Sequence, residues 1–249
     1  MARSFNGSSD YGRYAGSFAS ALPVTMSCWF QSSSATALQA LMGFYAAANT
    51  TERLWLAADG AAAGDPVNAV ATALGATTSA RTSTGYSTNT WHHACGVYAS
   101  ATSRTAYIDG GSAVESTTSR SPSGLDRISA GVVDSSTQGQ WLAGQLAELG
   151  WWDVALTAAE VYSLSRGISP RFIRPANLVR YEQFVGKSSP EPELIGGAVM
   201  TLTGTAAVAH PRVIGHRPRL VYVAPAVGGT TPKGWYGKAL YGPLRRVVA

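Results

Sequence analysis

The sequence predicts an all-β fold, a sandwich of two antiparallel sheets with one short peripheral helix and an irregular basic C-terminal arm. Three observations support this prediction. Apolar and polar residues alternate in many short segments, which is the period of a half-buried strand. The chain has 27 glycines and 12 prolines, as expected where turns join short strands. Of its 249 residues, 45% are hydrophobic and only 13% are charged, which suffices for a sizeable core.

The first strands follow from this alternation. Residues 24–30 place Val24, Met26, Cys28 and Phe30 on one face of a strand. Residues 38–45 and 53–57 predict two further strands, and the alanine- and glycine-rich stretch 58–75 predicts a loop or a weak edge strand.

Two hairpins in series are predicted next. Residues 91–98 and 104–108 have strand patterns, and Asp109-Gly110 tolerates the positive φ of a tight turn before residues 112–116 return. A short strand at 125–131 and a longer one at 140–152 complete this part of the chain.

One helix is clearly indicated. Thr157 and Glu160 have the spacing of a capping box, in which each side chain bonds the other residue's amide. Leu156 and Val161 occupy the hydrophobic-staple positions, and Gly167 suits the left-handed residue that ends a helix. A helix this short is expected at the periphery of a β fold.

The strand pattern ends in the C-terminal part. Residues 177–181 and 199–203 predict strands, but from about Pro211 onward basic and aromatic residues are scattered among prolines and glycines. We therefore predict a sandwich over residues 1–210 and an extended arm over residues 211–249. The candidates for docking a partner through this arm are Arg212, Arg217, Arg219, Tyr222, Trp235, Tyr236, Tyr241, Arg245 and Arg246.

The charge is unevenly distributed. Residues 1–165 contain 7 Lys and Arg against 11 Asp and Glu, whereas residues 166–249 contain 12 against 3. A mildly acidic body with a basic end predicts an acidic partner for that end, either a protein surface or nucleic acid, and we favour the protein surface. The first residues lack the apolar stretch of a signal peptide, and no apolar run approaches the roughly 20 residues that cross a bilayer.

Residues that could carry chemistry are few. Glu148 and Asp153 are five residues apart and should face opposite sides of a strand, and Glu160 lies on the helix, so no catalytic carboxylate pair is predicted. Glu148 is expected to bond the backbone or a tryptophan indole instead. His92 and His93 are adjacent and should also point to opposite faces. Calcium is the one cofactor left open, because five aspartates lie in loops without forming a tight cluster: Asp10, Asp65, Asp109, Asp126 and Asp134.

Two further residue pairs have alternative interpretations. Cys28 and Cys95 are far apart in apolar strands, which favours two buried thiols over a disulfide. Most of the tryptophans should pack in the sandwich, but Trp151 and Trp152 place one ring on each face of a strand. We expect at least one of these two rings to be exposed, where it could contact a glycan.

Four stretches together resemble the concanavalin A-like, laminin G-type jelly roll. They are residues 5–11 with a strand ending at Trp29, residues 91–93 leading to 107–110, residues 144–160, and residues 178–181 with 194–197 and 202–205. The resemblance extends over about residues 3–208 and implies a two-sheet jelly roll. The fold hosts lectins, adhesion modules, glycan hydrolases and virion proteins, so it does not imply one function. The body rich in small residues and the basic arm look most like structural proteins of tailed bacteriophages.

Three functional hypotheses follow. The first is a non-catalytic virion protein, a capsid decoration protein assembled in the host cytoplasm. Several copies would dock on the major capsid protein through the arm. The second is a lectin-like carbohydrate-binding module of a phage fibre or a secreted protein. The third and weakest is a glycan hydrolase.

Overall fold

The computed structural model describes residues 1–14, 22–192, 194–195 and 197–211. All nine residues predicted to dock a partner, from Arg212 to Arg246, lie outside these ranges. Of the predicted arm, only Pro211 is described. The boundary near residue 210 and the docking role of the arm therefore remain predictions.

Strands make up nearly all of the regular secondary structure of the described residues, which also include one α-helix and one short 3-10 helix at Pro170–Phe172. In chain order the elements are β1 (Ala2–Asn6), β2 (Tyr11–Tyr14), β3 (Val24–Ser32), β4 (Leu38–Tyr45), β5 (Arg53–Asp59), β6 (Pro66–Ala73), β7 (Ala76–Gly85), β8 (His92–Ser100), β9 (Ser103–Ile108), β10 (Gly111–Ser116), β11 (Arg127–Ala130), β12 (Val133–Asp134), β13 (Gln138–Gly139), β14 (Ala143–Trp152), α1 (Ala158–Ser165), β15 (Leu178–Glu182), β16 (Glu191–Pro192), β17 (Val199–Thr203) and β18 (Ala206–Val208).

Two antiparallel sheets of eight strands each form the sandwich, so the predicted fold class is confirmed. The first sheet has the order β10-β9-β8-β3-β14-β1-β18, and β15 also pairs with β14. The second has the order β16-β17-β2-β11-β4-β5-β6-β7. The small hairpin β12–β13 belongs to neither sheet.

The core lies between the two sheets. Val24, Met26, Cys28 and Phe30 are all fully buried there, as the alternation of residues 24–30 predicts. Their neighbours Thr25, Ser27 and Trp29 therefore point to the outer face of the first sheet. A second apolar cluster fills that outer face beneath α1, and includes Trp152, Leu156, Val161 and Leu164.

The prediction of a loop or weak edge for residues 58–75 is wrong. Pro66–Ala73 is an interior strand of the second sheet, paired with β5 on one side and with β7 on the other. Ala69 and Ala71 are buried in the core. Alanine has low strand propensity, but two flanking strands and burial on the inner face outweigh that preference.

The local predictions for the helix and the cysteines are confirmed. The Thr157 hydroxyl accepts from the Glu160 amide, and the Glu160 carboxylate accepts from the Thr157 amide at 2.8 Å. Gly167 adopts a φ of 84° after the helix. Cys28 and Cys95 are buried free thiols. In the part of the chain that the structure describes, no helix is long and apolar enough to cross a membrane.

Candidate functional site

A group of polar and aromatic side chains lies on the outer face of the second sheet. Arg13 of β2 pairs with Ser129 of β11, so both side chains point to the same side. Tyr11 lies two residues before Arg13 in β2, and Arg127 lies two residues before Ser129 in β11. Both side chains therefore share that face. The hairpin β12–β13 covers this part of the sheet and places Asp134 over it.

Asp134 organises the site. Its fully buried carboxylate accepts from Arg13 Nε and Nη2, each at 2.6 Å, in a bidentate pair. Arg127 Nη1 donates to Oδ1 at 3.2 Å, and Gln138 Nε2 donates to the same oxygen at 3.0 Å. The Ser129 hydroxyl donates to Oδ2. One carboxylate thus holds the hairpin and two guanidinium groups in a fixed arrangement.

The surroundings keep Asp134 ionised. Burial opposes its ionisation, but hydrogen bonds from Arg13, Ser129 and Gln138 outweigh this effect, so the pKa of Asp134 lies below its ordinary value. The hydrogen bond to Asp134 correspondingly raises the pKa of Arg13. The ion pair is therefore intact at neutral pH.

An aromatic pair borders this network. The ring centroids of Tyr11 and Trp141 are 6.1 Å apart, with the planes inclined by 60°. The Arg13 guanidinium carbon lies 5.0 Å from the centre of the Tyr11 ring, within cation–π range. All three side chains are partly exposed. The pair Tyr11–Trp141 therefore gives the face an accessible apolar surface beside a charged donor.

The sheet surface next to the hairpin is apolar, and we call it the floor. Tyr45, Trp55, Val70 and Val133 belong to one buried cluster on this face of the sheet. The Tyr45 hydroxyl and the Trp55 Nε1 group are buried without a hydrogen-bond partner among the described residues. The floor braces the hairpin that carries Asp134, since Val133 packs directly into it.

This arrangement suits a polyhydroxylated ligand. Aromatic faces can pack against the apolar side of a ring, while guanidinium and amide groups donate to hydroxyl oxygens. Small-molecule sites commonly combine apolar walls with a few fixed polar groups in this way. We call Tyr11, Arg13, Arg127, Gln138 and Trp141 the Asp134 face.

The expectation that Trp151 or Trp152 is exposed is wrong, and neither ring can contact a glycan in this structure. The two rings do lie on opposite faces of β14, but both have 0% exposure. Trp151 packs in the inter-sheet core. Trp152 lies in the cluster beneath α1, and its indole donates to the Ile173 carbonyl at 2.8 Å. The helix and the 3-10 helix cover the outer face at this position.

The three acidic residues considered for catalysis lie apart. Glu148 is buried and accepts from the Tyr181 hydroxyl and from His210 Nε2, rather than from the backbone or an indole as predicted. Asp153 is exposed just after β14 and accepts from Asn177. Glu160 caps the helix and pairs with Arg174. Each carboxylate has a structural partner.

The histidines and loop aspartates are also dispersed. His92 contacts Asp109 at 2.8 Å, whereas His93 is buried on the opposite face against Ser27. Asp10 accepts from the Asn6 amide at the end of β1, and Asp126 accepts from the Ala47 amide. Within the described ranges, no group of three or more His, Cys, Asp or Glu side chains could hold a metal ion.

A small cavity on the outer face of the first sheet cannot hold a sugar. Its volume is about 10 Å³, which is room for about one water molecule. It is lined by Ser27, Trp29, His93, Glu148, Leu164, Gly167, Ile168 and Pro170. This cavity is therefore not a candidate for a glycan site.

Sequence reasoning missed the Asp134 face. Trp141 was visible only as one aromatic residue among several, and Asp134 only as one loop aspartate. The alternation that places Tyr11 and Arg13 on one face spans just four residues of β2. Arg13 and Asp134 are 121 residues apart in the chain, and only strand pairing brings them together.

The comparison of the sequence with protein families gives a definite result. The laminin G model of the concanavalin A-like lectin/glucanases superfamily matches residues 6–162. The chain belongs to this superfamily. The match extends from the last residue of β1 into α1, and so includes the whole Asp134 face. Among curated proteins, none matches the sequence.

Several solved structures share the fold of this superfamily member. A putative carbohydrate binding protein from Bacteroides ovatus is 15% identical, with 82% of this chain and 59% of that chain covered and a TM-score of 0.54. Domain 4 of the extracellular arabinanase AbnA from Geobacillus stearothermophilus, in complex with arabinotriose, is 18% identical (66% and 76% covered, TM-score 0.51). The CBM40 module of the Ruminococcus gnavus IT-sialidase, bound to α2,3 sialyllactose, is 11% identical (66% and 98% covered, TM-score 0.50). At these identities the similarity establishes the fold alone.

Proposed function

We propose that this protein is a non-catalytic carbohydrate-binding module and that its Asp134 face contacts the glycan. The observation that carries the proposal is the partly exposed aromatic pair Tyr11–Trp141, next to a guanidinium group held by a buried carboxylate. The three similar structures are described as a putative carbohydrate binding protein, a domain in complex with arabinotriose and a module bound to sialyllactose. Those descriptions support the same role here.

The arrangement is suited to binding without a large conformational change. Arg13 is fixed by two hydrogen bonds to Asp134 and by the Tyr11 ring, so little side-chain entropy is lost when it donates to a ligand. The aromatic pair supplies apolar surface at similarly low entropic cost, because each ring has only two side-chain torsions.

A binding role fits the acidic residues better than hydrolysis does. Most glycoside hydrolases use two carboxyl groups that flank one bond. Asp134 is enclosed by its arginines, and Glu148 lies on the outer face of the other sheet. We therefore propose that a bound glycan is retained unchanged.

The capsid-decoration hypothesis depends on residues 211–249, of which only Pro211 is described. None of the residues that the structure describes supports it over the carbohydrate-binding alternative. We therefore favour the alternative, and the role of the arm in a particle stays a prediction.

The experiment is a glycan array with the full chain, followed by calorimetry on the best ligand. Trp141→Ala should weaken binding at least about tenfold, or about 1.4 kcal/mol, through loss of ring contact. Trp91→Ala is the matched control, since Trp91 is also partly exposed but lies outside the Asp134 face. The proposal fails if no glycan binds, or if Trp141→Ala binds as tightly as the control.

A further inference from the structure

We infer that the glycan bound by the Asp134 face is acidic, carrying a carboxylate or sulfate group. This inference rests on the proposed function and specifies the ligand class of the same site. It follows from the charge balance of the outer face of the second sheet, where positive charge is accessible and negative charge is enclosed.

The central ion group has more positive than negative charge. Arg13 and Arg127 share the single carboxylate of Asp134. The side chain of Asp134 has 0% exposure, whereas those of Arg13 and Arg127 have 32% and 24%. The anion is therefore hidden beneath the hairpin, and the surplus positive charge reaches solvent through the guanidinium groups.

Both arginines retain donors for a ligand. Arg13 uses Nε and Nη2 on Asp134, and the described contacts of Arg127 all involve Nη1. Arg13 Nη1, Arg127 Nε and Arg127 Nη2 thus form no hydrogen bond within the described ranges. Paired guanidinium N–H groups can donate to two oxygens of a carboxylate or sulfate group at once, which favours an anionic group over a hydroxyl at this position.

A third arginine extends the positive surface. Tyr45 pairs with Arg127 on one side and with Arg53 on the other, so the three residues form one row across the sheet. The backbones of Arg127 and Arg53 are therefore about 10 Å apart, which is the width of two strand spacings. Arg53 donates to the Thr72 hydroxyl at 3.3 Å and has no carboxylate partner among the described side chains.

The remaining acidic groups near this face are already engaged. Asp59 is buried, accepts from Asn68 at 2.7 Å and lies 3.7 Å from Arg81. Asp126 precedes β11 in a loop, and its carboxylate accepts from the Ala47 amide at 2.8 Å. An incoming anionic sugar would therefore meet guanidinium groups beside the Tyr11–Trp141 surface.

The test compares matched ligands. Oligogalacturonate and its methyl ester have the same rings and differ only in the charged carboxyl group. Calorimetry should show at least tenfold tighter binding of the acid at low salt. This preference should shrink in about 0.5 M NaCl, because salt screens partly exposed charges. A sulfated and an unsulfated oligosaccharide of equal length form a second pair that distinguishes the two anionic groups.

Variants link the preference to this face. Arg53→Gln and Arg127→Gln should each reduce the preference for the acid over the ester at least threefold. Arg171→Gln, on the 3-10 helix, is the control. If Arg127→Gln lowers the temperature of the thermal transition, the binding preference of Arg53→Gln alone decides the test. Equal binding of acid and ester by the native protein would overturn the inference and leave the carbohydrate proposal standing. Binding of no sugar in either pair or on the array would overturn the proposed function itself.

Discussion

His210 Nε2 lies 2.7 Å from Glu148 Oε1 and joins the segment after β18 to the middle of the first sheet. Glu148 is an extra residue in β14. Ala147 pairs with Trp29 and Gly150 pairs with Ser27, so Glu148 and Leu149 together face a single residue of β3. This bulge gives Glu148 a φ of 55° and directs its carboxylate to the outer face.

We expect this contact to stabilise the protein. Glu148 is almost fully buried, and His210 is partly exposed. A double-mutant cycle with Glu148→Ala and His210→Ala should give a coupling free energy of about 1.5 kcal/mol in urea unfolding, as for a hydrogen bond to a charged group. The exposed pair Glu160–Arg174 is the control and should give less than about 1 kcal/mol. A coupling near zero at Glu148 would mean that the segment is not held by this contact.

His93 should make stability depend on pH. The ring is buried with its Nε2 atom against the Ser27 hydroxyl at 2.8 Å, and burial lowers the pKa of His93 to about 4. The unfolded chain, with a histidine pKa near 6.5, binds a proton that the folded protein excludes. The free energy of unfolding should therefore fall as the pH decreases from about 6.5 to about 4, by about 3 kcal/mol from this residue.

The measurement for His93 is urea unfolding at a series of pH values. His93→Gln should have a flatter dependence over this pH range than the native protein, because the titrating group is gone. His92→Gln is the control, since His92 is partly exposed beside Asp109. Identical slopes for His93→Gln and the native protein would contradict the buried neutral state.

The capping box predicts a local effect on stability. Thr157→Ala should lower the free energy of unfolding by about 1 kcal/mol, because the Glu160 amide loses its acceptor. Thr157→Ser keeps the hydroxyl and should cost much less. Thermal unfolding of the three proteins distinguishes these outcomes. Equal losses of stability in Thr157→Ala and Thr157→Ser would show that the cap hydrogen bond does not cause the destabilisation.

Gly43 should be intolerant of a side chain. A Cβ atom at this position would lie 2.6 Å from both Trp55 Cβ and the Tyr45 hydroxyl. Gly43→Ala should therefore destabilise the protein by about 1–3 kcal/mol through overpacking of the floor beside the hairpin. Gly111→Ala is the control, because a Cβ there meets nothing within 4 Å. A native-like thermal transition for Gly43→Ala would contradict the close packing of Tyr45 over this strand.

Local patterns in the sequence were sufficient for several elements. The alternation of residues 24–30 predicted which side chains of β3 enter the core. The Thr157–Glu160 spacing predicted the start of α1 with its hydrogen bonds. Both depend on residues within a few positions of one another, so the sequence alone contains the information. The all-β class follows from the same short-range periodicity.

Long-range packing decided the rest. Strict alternation along β14 does not predict the face on which Glu148 lies, because the bulge changes the face of each residue that follows it. The burial of Trp152 depends on α1 and the 3-10 helix, which pack over the strand from later in the chain. The pairing of Arg13 with Asp134 joins residues 121 positions apart. Such contacts arise from strand register and covering elements, and these are settled only when the whole sandwich forms.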